Sequence, residues 1–177
     1  MTEILRKGEY MTGWTEGPTI TLKAAAAADI PALWALRTDA VRRSCASYYA
    51  PGIIAVWSAA PLPPVYAALV AGGGAVMAES AGELQGYAIL DRGNGEVGAV
   101  FVAPDSGGRG VGKILLGALE RMARADRRAR LHLYASLNAV GFYRAAGFVP
   151  LREAQYAHPS GIALDCVYME KALLPGA

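Results

Sequence analysis

The segment from Val100 to Lys113, VFVAPDSGGRGVGK, limits what this chain can become more than any other part of it. An apolar run of strand type ends at Val102, glycines follow at 107, 108, 110 and 112, and a helical pattern then begins. Val111, Ile114, Leu115, Ala118, Leu119 and Met122 share one helix face, as in an amphipathic helix laid on a core. The first turn of a helix carries N–H groups without an intrahelical partner and a partial positive charge, so it suits a phosphate. Glycine lets the backbone approach such a ligand with no side chain in the way.

Two nucleotide-type readings compete for this loop. A P-loop requires Gly-x4-Gly-Lys-Ser/Thr, and Gly107 to Lys113 fits until Ile114 stands where the magnesium-binding hydroxyl belongs. A dinucleotide fingerprint requires Gly-x-Gly-x-x-Gly, whereas Gly108, Gly110 and Gly112 are evenly spaced. A tight turn with no ligand is the plain alternative.

The rest of the chain reads as an alternation of strands and helices. Thr19–Lys23 forms a first strand, and Asp29 before Pro31 starts a helix that continues through Leu33, Trp34, Ala40 and Val41. Residues 51–72 read as one or two short helices. Strands follow at Ala75–Glu79, Leu84–Leu90 and Glu96–Val102, then the amphipathic helix, a strand at Leu131–Ala135 and a brief helix at Asn138–Ala146 closed by Gly147. Two strands near Phe148–Tyr156 and Ile162–Glu170 end the pattern, giving a mixed α/β sheet. Residues 1–17 are expected to be a mobile tail, and residues 18–174 a single domain.

Charge excludes some partners. Seventeen basic and fifteen acidic side chains give a net charge of +2, so no polyanion or nucleic-acid partner is expected. The basic residues between Arg121 and Arg130 read as the solvated end of a helix. Cys45, Cys166, His132 and His158 show no metal-ligand spacing, and no metal is expected. No signal peptide is evident in residues 1–14, which makes a cytoplasmic setting the expectation. From Ser44 to Ala78 there is no Asp, Glu, Lys or Arg, but Pro51, Pro61, Pro63, Pro64 and Gly72–Gly74 interrupt the run, so no membrane span is expected. That stretch is either a buried helical excursion or an apolar wall of a pocket or subunit contact.

The loop resembles the pyrophosphate loop of the GNAT superfamily of N-acetyltransferases, whose Gln/Arg-x-x-Gly-x-Gly/Ala maps onto residues 107–112 and departs only at Gly107. A second block, Ala135 to Phe148, is similar to that family's Asn-x-x-Ala-x-x-Phe-Tyr-x-x-x-Gly-Phe, read with Asn138 as its asparagine and Gly141 in place of its alanine. The resemblance implies a single-domain α/β fold, with a mixed, mostly antiparallel sheet flanked by helices. It also implies that acetyl-CoA is the cosubstrate and that a primary amine of a small molecule or protein is the acceptor. On this pattern Val100, Phe101 and Val102 hold the pantetheine arm, while Gly107, Gly108, Arg109, Gly110, Val111, Gly112 and Lys113 hold the pyrophosphate. Asn138 contacts the same ligand or serves as a helix N-cap.

The resemblance further assigns Tyr143 as general acid, against a plain reading as core, and a backbone N–H near Val102 as oxyanion donor. Glu96, sixteen positions before Gly112, takes the general-base position; Asp91 or water is the alternative, and a solvated strand end is the plain reading. A non-catalytic acyl-CoA-binding or regulatory domain would keep the loop without needing Tyr143. On the acceptor side, Arg42 and Arg43 read as carboxylate binders or solvated residues, and Tyr48, Tyr49 and Trp57 as pocket wall or core. His158 reads as surface, and the two cysteines as small apolar fillers. A homodimer remains open.

Overall fold

The computed structural model describes residues 19–173, so the tail expected over residues 1–17 lies outside the described residues. Among the described residues, seven strands and five α-helices follow one another. They are β1 (Thr21–Ala24), α1 (Ile30–Ser44), α2 (Pro51–Ser58), α3 (Val65–Ala71), β2 (Ala75–Ser80), β3 (Glu83–Asp91) and β4 (Glu96–Val102). Then come α4 (Val111–Ala125), β5 (Arg130–Ser136), α5 (Val140–Ala145), β6 (Val149–Ala157) and β7 (Ala163–Ala172). The strands form one sheet in the order β1-β2-β3-β4-β5-β7-β6. Every neighbouring pair is antiparallel except β4 and β5, so the sheet is mixed and mostly antiparallel.

Helices cover both faces. The apolar stripe of α4 buries Val111, Leu115, Leu116 and Leu119 against Val76, Ala88 and Leu90 on one half of the sheet and Leu131, Leu133 and Met169 on the other. Each fully buried leucine contributes about 1.5–3 kcal/mol. Gly86 of β3 permits this close seat, because a Cβ there would lie 3.1 Å from both Leu115 and Val111 and 2.7 Å from the Phe101 carbonyl oxygen. On the opposite face Leu33 of α1 and Val70 of α3 pack on Met77, Tyr87, Ile89 and Ala99.

The uncharged stretch forms α2 and α3 and is only partly core. Trp57 and Val70 are buried, whereas Val56, Leu62 and Val65 are exposed. No helix among the described residues is long and apolar enough to cross a membrane. The basic end of α4 is not wholly solvated either. Arg128 donates to the Arg92 and Gly93 carbonyls, and Arg92 forks onto Asp126, which ties the helix end to the β3–β4 turn.

Candidate active site

The parallel pair sets the site. β4 and β5 share a single rung, Glu96 opposite His132, and part beyond it. The Ala103 N–H donates to the Gln85 carbonyl, so the antiparallel alternation turns the amides of Phe101 and Ala99 toward β3. The N–H and C=O groups of Val100 and Val102 therefore point toward β5, where the strand ladder has already ended. Two strand residues with open backbone polar groups in a sheet interior mark a place for an extended ligand.

At the mouth of this gap lies the glycine loop. Gly108 and Gly110 have φ of +73° and +80°, a region side chains rarely adopt, and Gly110 is the N-cap of α4. The first helical bond is donated by Ile114 to the Gly110 carbonyl, and no side chain caps the helix. The N–H groups of Val111, Gly112 and Lys113 thus have no partner among the described residues, at the positive end of a 15-residue helix. Gly112 has a second reason to lack a side chain: a Cβ there would lie 3.1 Å from the ring of Phe142 on α5. Gly107 is different, with φ −60° and extended backbone, so nothing in its conformation demands glycine.

These parts enclose a cavity of about 400 Å³. Every candidate residue lines it except Glu96 and Arg109. Arg109 is exposed on the loop. Glu96 sits at the far end of β4, half-buried beside the rung. A β-bulge intervenes, because Leu90 and Ile89 pair with Val97 and Ala99 and leave Gly98 as the extra residue. Val97, Val100 and Val102 consequently face α4, while Ala99 and Phe101 face α1. By strand alternation Glu96 also faces α1. Asp91 lies directly opposite Glu96 and is engaged in a turn, its Oδ1 accepting the Gly93 N–H.

Tyr143 is 7% exposed and edge-packed on Phe142 and Phe148, so it is core and cavity wall at once. Its hydroxyl meets no protein partner among the described residues, and burial pushes its pKa well above the ordinary phenol value. Asn138 caps no helix: it lies within the 3-10 turn Leu137–Ala139, and its Oδ1 accepts from the Cys45 thiol at 3.4 Å. Burial pushes that thiol up to about 11, which keeps it a donor. The block alignment also needs correction. Counted back from Phe142 and Tyr143, the family spacing puts its asparagine at Ser136 and its alanine at Ala139, and both line the cavity. Ser136 could have been found by counting from the aromatic pair rather than from the nearest asparagine.

On the α1 side, Ala40, Ser44 and Cys45 complete the cavity. The Tyr49 hydroxyl accepts the Leu137 N–H and donates to the Asp165 carbonyl, anchoring the α1–α2 connection to the ends of β5 and β7. Tyr48 is exposed and Trp57 buried. Arg43 forks onto Asp105, and Arg42 reaches Ser58, so both are tied to protein groups. Arg37, in contrast, is only 3% exposed and meets no carboxylate among the described residues. Its signal in the sequence is position: four residues after Leu33 and three before Ala40, an arginine on the buried face of α1. No group of His, Cys, Asp and Glu able to hold a metal occurs among the described residues.

A family model described as an acetyltransferase (GNAT) domain matches residues 63–172. Among solved structures, a GCN5-related N-acetyltransferase from Rhodopseudomonas palustris is similar at 26% identity and TM-score 0.77, covering 88% of this chain and 96% of that one. The PaiA N-acetyltransferase of Thermoplasma acidophilum, in complex with coenzyme A, is similar at 18% identity and TM-score 0.68, covering 87% and 99%. A ribosomal-protein-alanine N-acetyltransferase from Brucella melitensis is similar at 24% identity and TM-score 0.62, covering 86% and 99%. No curated protein matches the chain by sequence.

Proposed function

This chain belongs to the GNAT acetyltransferase family, and we propose that it moves the acetyl group of acetyl-CoA to a primary amine by direct attack. The observation that carries this reading is the gap between β4 and β5, opening beside the free N-terminal amides of α4. Coenzyme A is bound in the PaiA structure, which shares the fold. In this chain the open backbone groups of Val100 and Val102 suit the amides of the pantetheine arm. The N–H groups of Val111, Gly112 and Lys113, with the lysine charge, suit a pyrophosphate. Ser136 and Asn138 add polar groups on the β5 side.

The residues divide the chemistry among them. The thioester supplies an activated acyl carbon. The amine nitrogen bonds to that carbon and the C–S bond breaks. The Val102 N–H takes up charge developing on the carbonyl oxygen. Tyr143 gives its phenolic proton to the departing sulfur. An ordinary primary amine with a pKa near about 10.4 must lose a proton before it attacks. Glu96 is the proposed acceptor of that proton. Four strand steps separate it from Val100, roughly 13 Å at about 3.3 Å per residue, so it acts through water rather than by contact. Asp91 is the weaker alternative, because its carboxylate already serves the turn.

A thermal titration tests the binding half. Acetyl-CoA at about 100 times its dissociation constant stabilises the fold by about 2.7 kcal/mol, or roughly 5–10 °C at this size. ATP with magnesium does clearly less. Stabilisation by ATP and not by acetyl-CoA overturns the reading. Release of free thiol with a panel of amines tests turnover, and binding without turnover on any amine would favour a regulatory acyl-CoA-binding domain.

A further inference from the structure

We propose that Arg37 anchors the acceptor through a carboxylate, so that the amine acetylated here is a small molecule carrying its own carboxylate, such as an amino acid. This rests on the acetyl-transfer reading above and names its substrate class.

The guanidinium of Arg37 is enclosed by aromatic rings. Its central carbon lies 4.4 Å from the ring centroid of Trp34 and 5.9 Å from that of Trp57, and its Nη1 donates to the Trp57 carbonyl at 2.8 Å. Trp34 stands edge-on to Tyr66, whose hydroxyl lies 3.0 Å from that of Tyr87. Burial pushes both phenols up, so neither provides a counter-charge at neutral pH. The uncharged stretch from Ser44 to Ala78 supplies Trp57 and Tyr66, and so walls the arginine without placing an acid beside it. His158 of the β6–β7 turn is kept neutral by its own burial and by the charge of Arg37.

An arginine is almost never buried without a paired anion, because its ion hydration is costly to lose. One carbonyl and two ring faces satisfy part of the fork, while the remaining donors lack partners among the described residues. They are not sealed off either: Ser80 Oγ and Arg128 Nε are the sealed orphan side-chain atoms there. Ala40, three residues along the same face of α1, lines the cavity, about 5 Å further along the helix axis. Phe101 joins the two regions, lining the cavity while its ring centroid lies 5.7 Å from that of Tyr87. A planar carboxylate matches the free side of a guanidinium fork, and of the paired Tyr66 and Tyr87 hydroxyls the one not donating to the other has a proton left to offer it.

The test compares glycine, methionine, phenylalanine and β-alanine, each against its own carboxamide, with kcat/KM expressed per unprotonated amine because a carboxamide lowers the pKa of the neighbouring amine. We expect kcat/KM to favour the carboxylate member of at least one pair by about 10- to 100-fold, the range of a lost charge-assisted bond. Arg37→Gln narrows that ratio to a few-fold, and Arg37→Lys keeps more of it. The ratio is read within one enzyme preparation, so a variant of lower stability still reports it. The wild-type comparison needs no variant at all. As a binding test, 3-phenylpropanoate raises the melting temperature of the CoA-bound protein and 3-phenylpropanamide does not. Ratios near one, or a preference for the carboxamide, overturn the proposal. So does a panel with no accepted amino acid together with no 3-phenylpropanoate shift. Acetyl-CoA stabilisation is measured separately, so failure here with that stabilisation intact leaves the acetyl-transfer reading standing.

Discussion

Glu96 and His132 form the single rung that joins β4 to β5, and the cavity opens where that pairing stops. The residue proposed to take the amine proton therefore stands at the closed end of the gap, and also holds the two halves of the sheet together through its backbone. A side-chain change there leaves the backbone rung in place. Glu96→Gln should lower kcat/KM, while the Kd for acetyl-CoA stays unchanged. A normal rate would assign the proton to Asp91, to water or to the substrate.

The glycine loop gives a contrast between two of its members. Gly110→Ala forces a side chain into left-handed backbone, costing about 1–2 kcal/mol, and it sits on the N-cap of the proposed pyrophosphate helix. The variant should melt about 2–8 °C lower and bind acetyl-CoA about fivefold more weakly, as expected for disturbing a helix terminus worth ~1 kcal/mol. Gly107→Gln should behave in the opposite way. A Cβ at 107 meets only the Pro104 carbonyl oxygen, at an ordinary 3.5 Å, and the backbone is extended. It restores the long polar side chain usual in the resembling family, so melting should hold or rise and CoA affinity should improve. Unequal losses in the reverse order, measured by calorimetry, would undo this division of roles.

Tyr49 offers a test of how the acceptor side is held. Its hydroxyl both accepts the Leu137 N–H at 2.9 Å and donates to the Asp165 carbonyl at 2.7 Å. Tyr49→Phe keeps the ring against Trp57 and takes the acceptor from the half-buried Leu137 N–H, at up to about 1–3 kcal/mol for an unmet polar group, while the exposed Asp165 carbonyl turns to water. Denaturant midpoints should fall accordingly with the slope unchanged. A variant as stable as the parent would mean that water replaces the hydroxyl at both ends.

Much of this was legible in the sequence, for identifiable reasons. β4 was read at Glu96–Val102, the bounds it has, because an apolar run between Gly95 and Pro104 leaves little choice. The α4 face was legible because its period is long and regular. The single parallel rung was not, since pairing of β4 with β5 is set by tertiary packing across a 15-residue helix. The bulge at Gly98 was equally hidden, and it decides which face Glu96 takes. Arg42 and Arg43 stand out as an adjacent pair, yet Arg37 is the more unusual placement, a charge on the stripe of Leu33, Ala40 and Val41. Residue type points to Asn138, whereas counting back from Tyr143 points to Ser136.

Tyr143 is the residue on which the chemical reading depends most directly. Tyr143 lines the cavity, its hydroxyl meets no protein partner among the described residues, and burial holds its pKa above the ordinary value of about 10. The sign follows from that direction: the phenol stays protonated through neutral and moderately alkaline pH, so its own ionisation produces no basic limb below about pH 10. A departing thiolate in the same buried setting is raised by the same loss of solvent, so the proton still has somewhere to go. Tyr143→Phe keeps the edge contacts with Phe142 and Phe148, and melting temperature and CoA affinity should change little. Single-turnover rates should fall about 10²–10⁴-fold, the usual contribution of a general acid, and an acyl donor with a more acidic thiol should recover part of the loss. Steady-state kcat falls less if product release limits the parent enzyme, which is why the single-turnover rate decides. A basic limb near pH 8 that vanishes in Tyr143→Phe would contradict the raised pKa. An unchanged single-turnover rate would leave Tyr143 as cavity wall only, with water protonating the sulfur.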